Sequence, residues 1–310
     1  MEQKGLIMRS TGSWYEVRSE QDGGLFRGRL RGKHKLQQLK VTNPLAVGDY
    51  VHYVMENANE RTVAITEILD RENYIVRKSP HKLSHAHLLA ANLDQALLLA
   101  TLVLPRTSLG FLDRFLVSAE SFRIPVVVVF NKSDLLDEEV LDYQAELCDL
   151  YNRLGYTSLQ ISAEHGPDLG GLEDLLRGKK TLISGHSGVG KSTLVNRLAP
   201  GLGLRTSEVS RFANKGVHTT TFAEMYEISP ETFIIDTPGI KELGLADIAP
   251  EEIGHYFPEM RQLLNQCRYH NCLHLSEPGC AVLAQVEQGQ IAQTRYESYV
   301  SMLLNEDNRR

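Results

Sequence analysis

From Gly5 to Leu69, apolar and polar positions alternate in short runs, GLIMRS, SWYEVRS, LFRGRL, DYVHYVM and RTVAITEIL, separated by Gly, Asn, Asp and Pro. A period of two broken by turn residues is the mark of half-buried strands, so this stretch predicts a small all-β barrel or sandwich. Beyond a linker expected around Arg77 to His81 the pattern changes. Near-continuous apolar runs, QALLLATLVL, IPVVVVF, YTSLQIS and TLISG, alternate with helical segments near Leu112 to Phe122, near Glu138 to Leu154 and from Lys191. Strands without polar alternation are covered on both faces, which predicts an α/β domain built on a buried parallel sheet. After about Leu245 the helical period returns, and a last helix is expected from about Gln290 to Leu304.

The chain has 310 residues, 42% hydrophobic and 23% charged, room for two domains and a small third. The longest apolar stretches, Ala96 to Leu104 and Ile124 to Phe130, fall well short of the roughly 18 residues of a membrane span, and the N-terminus shows no secretory pattern. No membrane partner and a cytoplasmic location are therefore expected. The net charge of -6 argues against indiscriminate nucleic-acid binding, but residues 1–80 hold 13 Lys+Arg against 10 Asp+Glu. Within them Arg27, Arg29, Arg31, Lys33 and Lys35 alternate with Gly28, Leu30, Gly32 and His34. On a strand these cations would share one face at about 6.6 Å spacing. Such a row can follow a nucleic-acid backbone or blunt an exposed sheet edge.

The strongest chemical signal is Gly185-His186-Ser187-Gly188-Val189-Gly190-Lys191-Ser192, followed by Thr193. It fits G-x-x-x-x-G-K-[ST] between a strand and a helix, the context in which backbone N–H groups cradle phosphates. Lys191 is expected on the β/γ-phosphates and Ser192 on Mg²⁺. Asn131-Lys132-Ser133-Asp134 follows the apolar strand VVVVF and matches the guanine-reading N-K-x-D signature. The Asp134 carboxylate can accept from the ring N–H and amino group of guanine, whereas adenine would leave it unpaired, so GTP/GDP is expected. Ser162-Ala163 stands where a short loop supports the base in such proteins.

Asp236-Thr237-Pro238-Gly239 ends the apolar strand FII and reads as D-x-x-G, with Asp236 toward Mg²⁺ and the Gly239 N–H toward the γ-phosphate. Gly216-Val217-His218-Thr219-Thr220-Thr221, between this motif and the phosphate loop, occupies the place of a switch I segment. The motif order is permuted, since N-K-S-D and Ser162-Ala163 precede the phosphate loop. Circular permutation is tolerated where the original termini lie close together. Its consequence is that the C-terminal module follows directly on D-x-x-G.

Three of the four cysteines, Cys267, Cys272 and Cys280, lie within 14 residues, interspersed with His270 and His274. This is the composition of a Cys₃His tetrahedral zinc site, with either histidine as the fourth ligand. Cys148, within AELCDL, reads as a small core residue.

Taken together, the basic β-region, the permuted NKSD, GHSGVGKS, HTTT and DTPG motifs and the C-terminal Cys/His cluster resemble the family of bacterial small ribosomal subunit biogenesis GTPase A. The resemblance spans nearly the whole chain. It implies a multidomain α/β protein: an N-terminal OB-fold β-barrel that binds RNA (1–75), a central circularly permuted P-loop GTPase domain (80–245) and a small α-helical zinc-binding domain (246–310). It also implies one Zn²⁺ on Cys267, Cys272, His274 and Cys280, Mg²⁺ with the nucleotide, and GTP hydrolysis by a monomer stimulated by the small (30S) ribosomal subunit. That activity belongs to late maturation of the subunit and involves its rRNA. Ile240 stands after D-x-x-G, where many GTPases keep a water-orienting glutamine, and the family's proposed replacement falls on His218. Two other classes are a GTPase that delivers metal and an RNA-binding module with a vestigial nucleotide site.

Overall fold

A computed structural model describes residues 2–11, 13–31, 44–79, 82–166, 169, 171–202, 223–236 and 248–306. The N-terminal strands are β1 (Gln3–Ser10), β2 (Tyr15–Ser19), β3 (Leu25–Leu30), β4 (Tyr50–Asn57) and β5 (Thr62–Ile68). They pair in the order β1-β2-β3-β5-β4, and β4 closes back on β1. The β3–β5 contact is parallel and the others are antiparallel, giving a closed five-stranded barrel of the OB type. Inward positions such as Ile7, Val17, Val51, Tyr53, Val63 and Ile65 are fully buried and form its core. Beneath it, Asp49 accepts two hydrogen bonds from Arg71, at 2.6 and 2.7 Å, and one from the Ala46 N–H.

Arg77 to Ser79 of the expected linker belong instead to a strand, β6 (Tyr74–Ser79), which pairs with β7 (Lys82–Ala91), while Pro80 and His81 lie outside the described residues. The polar run Arg77-Lys78-Ser79 hides the strand period in the sequence, whereas Ile75, Ala90 and Ala91 of the same pair of strands are buried.

The central sheet comprises β8 (Gln95–Ala100), β9 (Val126–Phe130), β10 (Thr157–Gln160), β11 (Lys180–Gly185), β12 (Glu224–Ser229) and β13 (Thr232–Asp236). Its order is β10-β9-β8-β11-β13-β12, parallel except for β12. Every residue of β8 and β9 is buried, as the apolar runs Ala96 to Ala100 and Val126 to Phe130 require. The flanking helices are α1 (Leu109–Ser121), α2 (Glu138–Arg153), α3 (Leu172–Leu176) and α4 (Lys191–Leu198). The Asp137 side chain caps α2 by accepting from the Val140 N–H, with Glu138 and Glu139 in the first turn and Arg153 in the last. In an open α/β sheet, ligands gather beyond the carboxyl ends of the strands. Those ends carry Asn131 after β9, Ser162 after β10, the phosphate loop after β11 and Asp236 on β13.

The C-terminal segment contains a 3₁₀ helix (Pro250–Tyr256), α5 (Pro258–Arg261), α6 (Ala281–Glu287) and α7 (Gln293–Leu303). Their apolar faces enclose Ile253, Phe257, Met260, Val282, Ile291 and Tyr299, and Val117 of α1 joins this cluster. The central sheet also continues into the barrel, because β12 pairs with β1.

Candidate functional site

Two phosphate-loop glycines have conformations forced on them. Gly185 has φ +144° and a Cβ there would lie 2.4 Å from the Leu99 carbonyl oxygen; Gly190, at φ +99°, would place one 2.3 Å from Asn131 Nδ2. A side chain at either position would push the loop off its neighbouring strand. Gly190 precedes the first residue of α4, so the loop leads straight into a helix N-terminus, whose N–H groups suit an anion. Lys191 Nζ donates to the carbonyls of Gly185 (2.6 Å) and His186 (2.7 Å), which folds the cation over the loop it serves. Ser192 is buried, Val189 anchors the loop in the sheet core, and the His186 ring lies 3.9 Å from that of Phe111 on α1.

Asn131 is the buried staple of the site. Its Nδ2 donates to the Val189 carbonyl at 2.8 Å, and its Oδ1 accepts from the Ala163 N–H at 2.9 Å. One side chain thus binds the phosphate loop and the Ser162-Ala163 loop to the end of β9. Ser133 Oγ lies 2.8 Å from Gln144 Oε1 and 3.1 Å from the Ile161 carbonyl, with its one hydrogen to share between them, while Lys132 Nζ donates to the Leu104 carbonyl at 2.6 Å. Asp134 lies in a 3₁₀ turn (Ser133–Leu135) with its side chain exposed. A cavity of about 100 Å³ results, lined by Asn131, Lys132, Asp134, Ala163, Gly190 and Thr193 among others. Three motifs scattered over 63 positions therefore meet in one pocket.

Sequence reasoning missed two contributors. Arg197 on α4 donates to the carbonyls of Ser162, Ala163 and Gly166, holding the base-side loop to the phosphate-side helix. Leu104, on the loop after β8, supplies the carbonyl for Lys132, and Pro105 packs against Gly188. Both act through backbone oxygens, which leave no mark on residue type.

Asp236 ends β13 opposite Ile183 of β11 and Glu224 of β12. Burial pushes its carboxyl up; Lys191 works against that shift and Glu224 reinforces it. A carboxylate under such pressure is relieved by a cation, which fits the Mg²⁺ role. His218, Thr219, Thr220 and Gly239, like Ile240, lie outside the described residues.

In the C-terminal module, one atom from each of Cys267, Cys272, His274 and Cys280 falls within 4.8 Å of the others. The separations are 3.9 Å between the Cys267 and Cys280 sulfurs, 3.6 Å from Cys267 to His274 Nδ1 and 3.3 Å from that nitrogen to Cys280. Tetrahedral zinc–sulfur bonds of about 2.3 Å put ligand sulfurs about 3.8 Å apart, so the spacing fits zinc. His270 is exposed and lies outside this group, whereas His274 falls within it. Burial, then the crowding of neighbouring thiols, pushes the Cys272 thiol up to about 12, a strain that a bound dication removes.

The supporting shell is well made. Burial opposes the Glu277 carboxylate, yet backbone N–H groups including those of Leu273, Leu275 and Ser276 outweigh it and bring it down to about 2. Tyr296 and Tyr299 donate to the carbonyls of His274 and Leu273. Cys280 opens α6 and its sulfur accepts from the Leu283 N–H.

On the barrel, Arg27 and Arg29 share one face of β3, their guanidinium carbons 4.1 and 5.9 Å from the Trp14 ring centre. Arg29 also faces Glu56 at 3.5 Å. A cavity of about 330 Å³ lies beside them, lined by Arg9, Trp14, Phe26, Arg27, Arg61 and neighbours. Lys33 and Lys35 lie outside the described residues.

The barrel and the nucleotide site each have counterparts in known proteins. Family models for the RsgA N-terminal domain and the RsgA GTPase match residues 4–63 and 68–246. Two relatives carry the name small ribosomal subunit biogenesis GTPase RsgA. The one from Cytophaga hutchinsonii is 52% identical over 99% of this chain and 100% of its own; that from Bacteroides fragilis is 49% identical over 97% and 96%. Among solved structures, YjeQ from Thermotoga maritima superposes over 100% of both chains with a TM-score of 0.81 and 35% identity. YloQ, described as a circularly permuted GTPase, gives 0.75 and 30% over 100% of this chain and 96% of its own. With its permuted motifs gathered in one pocket and relatives aligned along nearly its whole length, the chain belongs to the RsgA GTPase family.

Proposed function

We propose that this protein hydrolyses GTP when the small ribosomal subunit stimulates it, and serves late maturation of that subunit as a cytoplasmic monomer that binds rRNA. The observation that carries the reading is the Asn131 staple, which closes phosphate loop, guanine-reading turn and base-side loop around one cavity. Asp134 would read the guanine edge while Asn131, Lys132, Ser133, Ser162 and Ala163 shape the base pocket. Residues Gly185 to Thr193 would hold the phosphates, with Lys191 released from its own loop carbonyls to the β/γ-oxygens. Ser192 and Asp236 would hold Mg²⁺, whose charge offsets the negative charge on the phosphates. Thr219, Thr220 and Gly239 would close on the γ-phosphate, and His218 would orient the attacking water. The domain limits 1–75, 80–245 and 246–310 follow the same reading, with rRNA contact assigned to the barrel and one zinc to the Cys₃His group.

The deciding experiment measures GTP turnover by the protein alone, with small subunits and with large subunits. Slow basal turnover raised only by small subunits supports the proposal, and equal turnover in all three conditions overturns it. In the same assay His218→Ala should abolish stimulation with GTP affinity nearly unchanged, since water-orienting groups act in the transition state. Full stimulated turnover would return His218 to a structural role.

A further inference from the structure

The pairing of β1 with β12 joins a barrel residue to the nucleotide site by a single row of charges. Arg9 on β1 is the register partner of Glu224 on β12, and Glu224 is in turn the register partner of Asp236 on β13. Directly opposed residues in an antiparallel pair project on the same face with Cβ atoms about 5 Å apart. Arg9 and Glu224 form an ion pair at 3.6 Å. The next step in the row sets two carboxylates side by side, an arrangement that destabilises a sheet unless cations flank it. Lys191 supplies positive charge on the Asp236 side, and Arg9 supplies it on the Glu224 side.

We propose that Arg9 is a positioning residue of the nucleotide site: by compensating Glu224 it sets the negative charge offered to a divalent cation at Asp236. The proposal rests on the reading of Asp236 as the Mg²⁺ carboxylate. Its consequence has a definite sign. Without Arg9 the row gains a net negative charge, which strengthens its attraction for Mg²⁺ and weakens the seam when no cation is bound. Without Glu224 the attraction falls, and Arg9, having lost its partner, turns to solvent where its charge is screened. Arg9 also lines the barrel cavity beside Trp14 and Arg27. An RNA phosphate drawing Arg9 away from Glu224 would act at Asp236 as the loss of Arg9 does, giving the RNA-binding barrel a direct electrostatic hold on the catalytic metal.

The test is a Mg²⁺ titration of the dissociation rate of fluorescent GDP from the full-length protein. Arg9→Gln should lower the Mg²⁺ concentration for half-maximal retention by about 3- to 10-fold, the effect of one partly screened charge at this range. Glu224→Gln should raise it, Arg9→Lys should stay near wild type, and the double variant should match Glu224→Gln. A second readout needs no nucleotide: Mg²⁺ should raise the melting temperature of Arg9→Gln more than that of the wild type. If Arg9→Gln only lowers the melting temperature while the Mg²⁺ midpoint stays in place, Arg9 merely fastens the barrel to the sheet and the proposal is overturned. Asp236→Asn separates the two levels of the argument. Should it leave the Mg²⁺ midpoint unchanged, the assignment of Asp236 itself is wrong.

Discussion

At the scale of single residues, the nucleotide site depends on groups whose hydrogen-bonding sense cannot be reversed without changing what is bound. On the proposed reading Asp134 would offer only acceptors to the donor edge of guanine, so Asp134→Asn would turn one acceptor into a donor facing the guanine amino group. Each charge-assisted bond to a buried partner contributes about 1.5–3 kcal/mol. GTP affinity should accordingly fall by about two orders of magnitude, with a gain for nucleotides that carry a carbonyl in place of that amino group. Competition between GTP and xanthosine triphosphate for the protein reads this directly, and unchanged preference would show that the turn does not face the base. These residues were legible from sequence because each acts through its own side chain or through a backbone conformation that only glycine adopts freely, as at Gly185 and Gly190. Arg197 and Leu104 were not legible, because what they meet or provide is a carbonyl that any residue carries. The cysteines are legible for the opposite reason: no packing role calls for three thiols in so short a span. Cys272→Ser should release one zinc per chain and loosen the segment from Cys267 to Cys280 while nucleotide binding persists. Metal analysis together with a nucleotide titration checks both halves, and protein purified without chelator that held no zinc would end the assignment.

At the scale of elements, the C-terminal module is fastened to helix α1 of the GTPase region by a buried ion triad. Arg295 of α7, 1% exposed, meets Asp113 of α1 at 2.6 Å and Glu259 of α5 at 2.7 Å, with Tyr151 of α2 also donating to Asp113. The face of Phe257 lies 4.5 Å from its guanidinium carbon. The neighbouring carboxylates outweigh burial and hold Arg295 firmly charged. Arg295→Ala would leave two carboxylates buried without a counter-ion, a loss of about 3–5 kcal/mol, whereas replacing the whole triad with apolar residues of similar volume should restore most of it. Thermal unfolding of the single and triple variants measures the difference; a single variant as stable as the wild type would show that the triad is wet and weak. The sequence pattern places α1, α2 and α7 within a few residues of where they are found, although α1 is buried on every side from Gly110 to Ala119. The triad stayed hidden, because Asp113 and Arg295 are 182 positions apart and charged residues in helices ordinarily face water. The β6–β7 pair was hidden differently, the polar run Arg77-Lys78-Ser79 reading in sequence as a linker.

At the scale of the whole molecule, the barrel is a continuation of the nucleotide-binding sheet. Besides the β1–β12 pairing, Arg18 of β2 reaches Glu227 and Glu231 at 3.1 Å each, and Lys180 of β11 donates to the Tyr50 hydroxyl of β4. A load on the barrel is therefore carried to β12 and to β13, which ends at Asp236. The sequence carries no sign of this contact between barrel and sheet, because a strand pattern specifies which face is buried, not which edge it will pair with. On the proposed function, the outer surface of the barrel would be what meets the rRNA of the small subunit. Arg27 and Arg29 lie over Trp14, an arrangement that offers cations to phosphates and an aromatic edge to an unstacked base. Reversing both to Glu should sharply reduce hydrolysis stimulated by small subunits and leave basal hydrolysis intact, because neither residue touches the nucleotide pocket. The wild-type stimulation should itself weaken as salt rises, and the double variant should show a shallower salt dependence, since each lost phosphate contact removes about one released counterion. Circular dichroism of the variant separates this from unfolding, as β3 is an exposed face of a barrel whose core remains untouched. Stimulation that survives both substitutions with an unchanged salt slope would mean that the basic row only blunts the barrel surface, and that the ribosome engages the enzyme through another face.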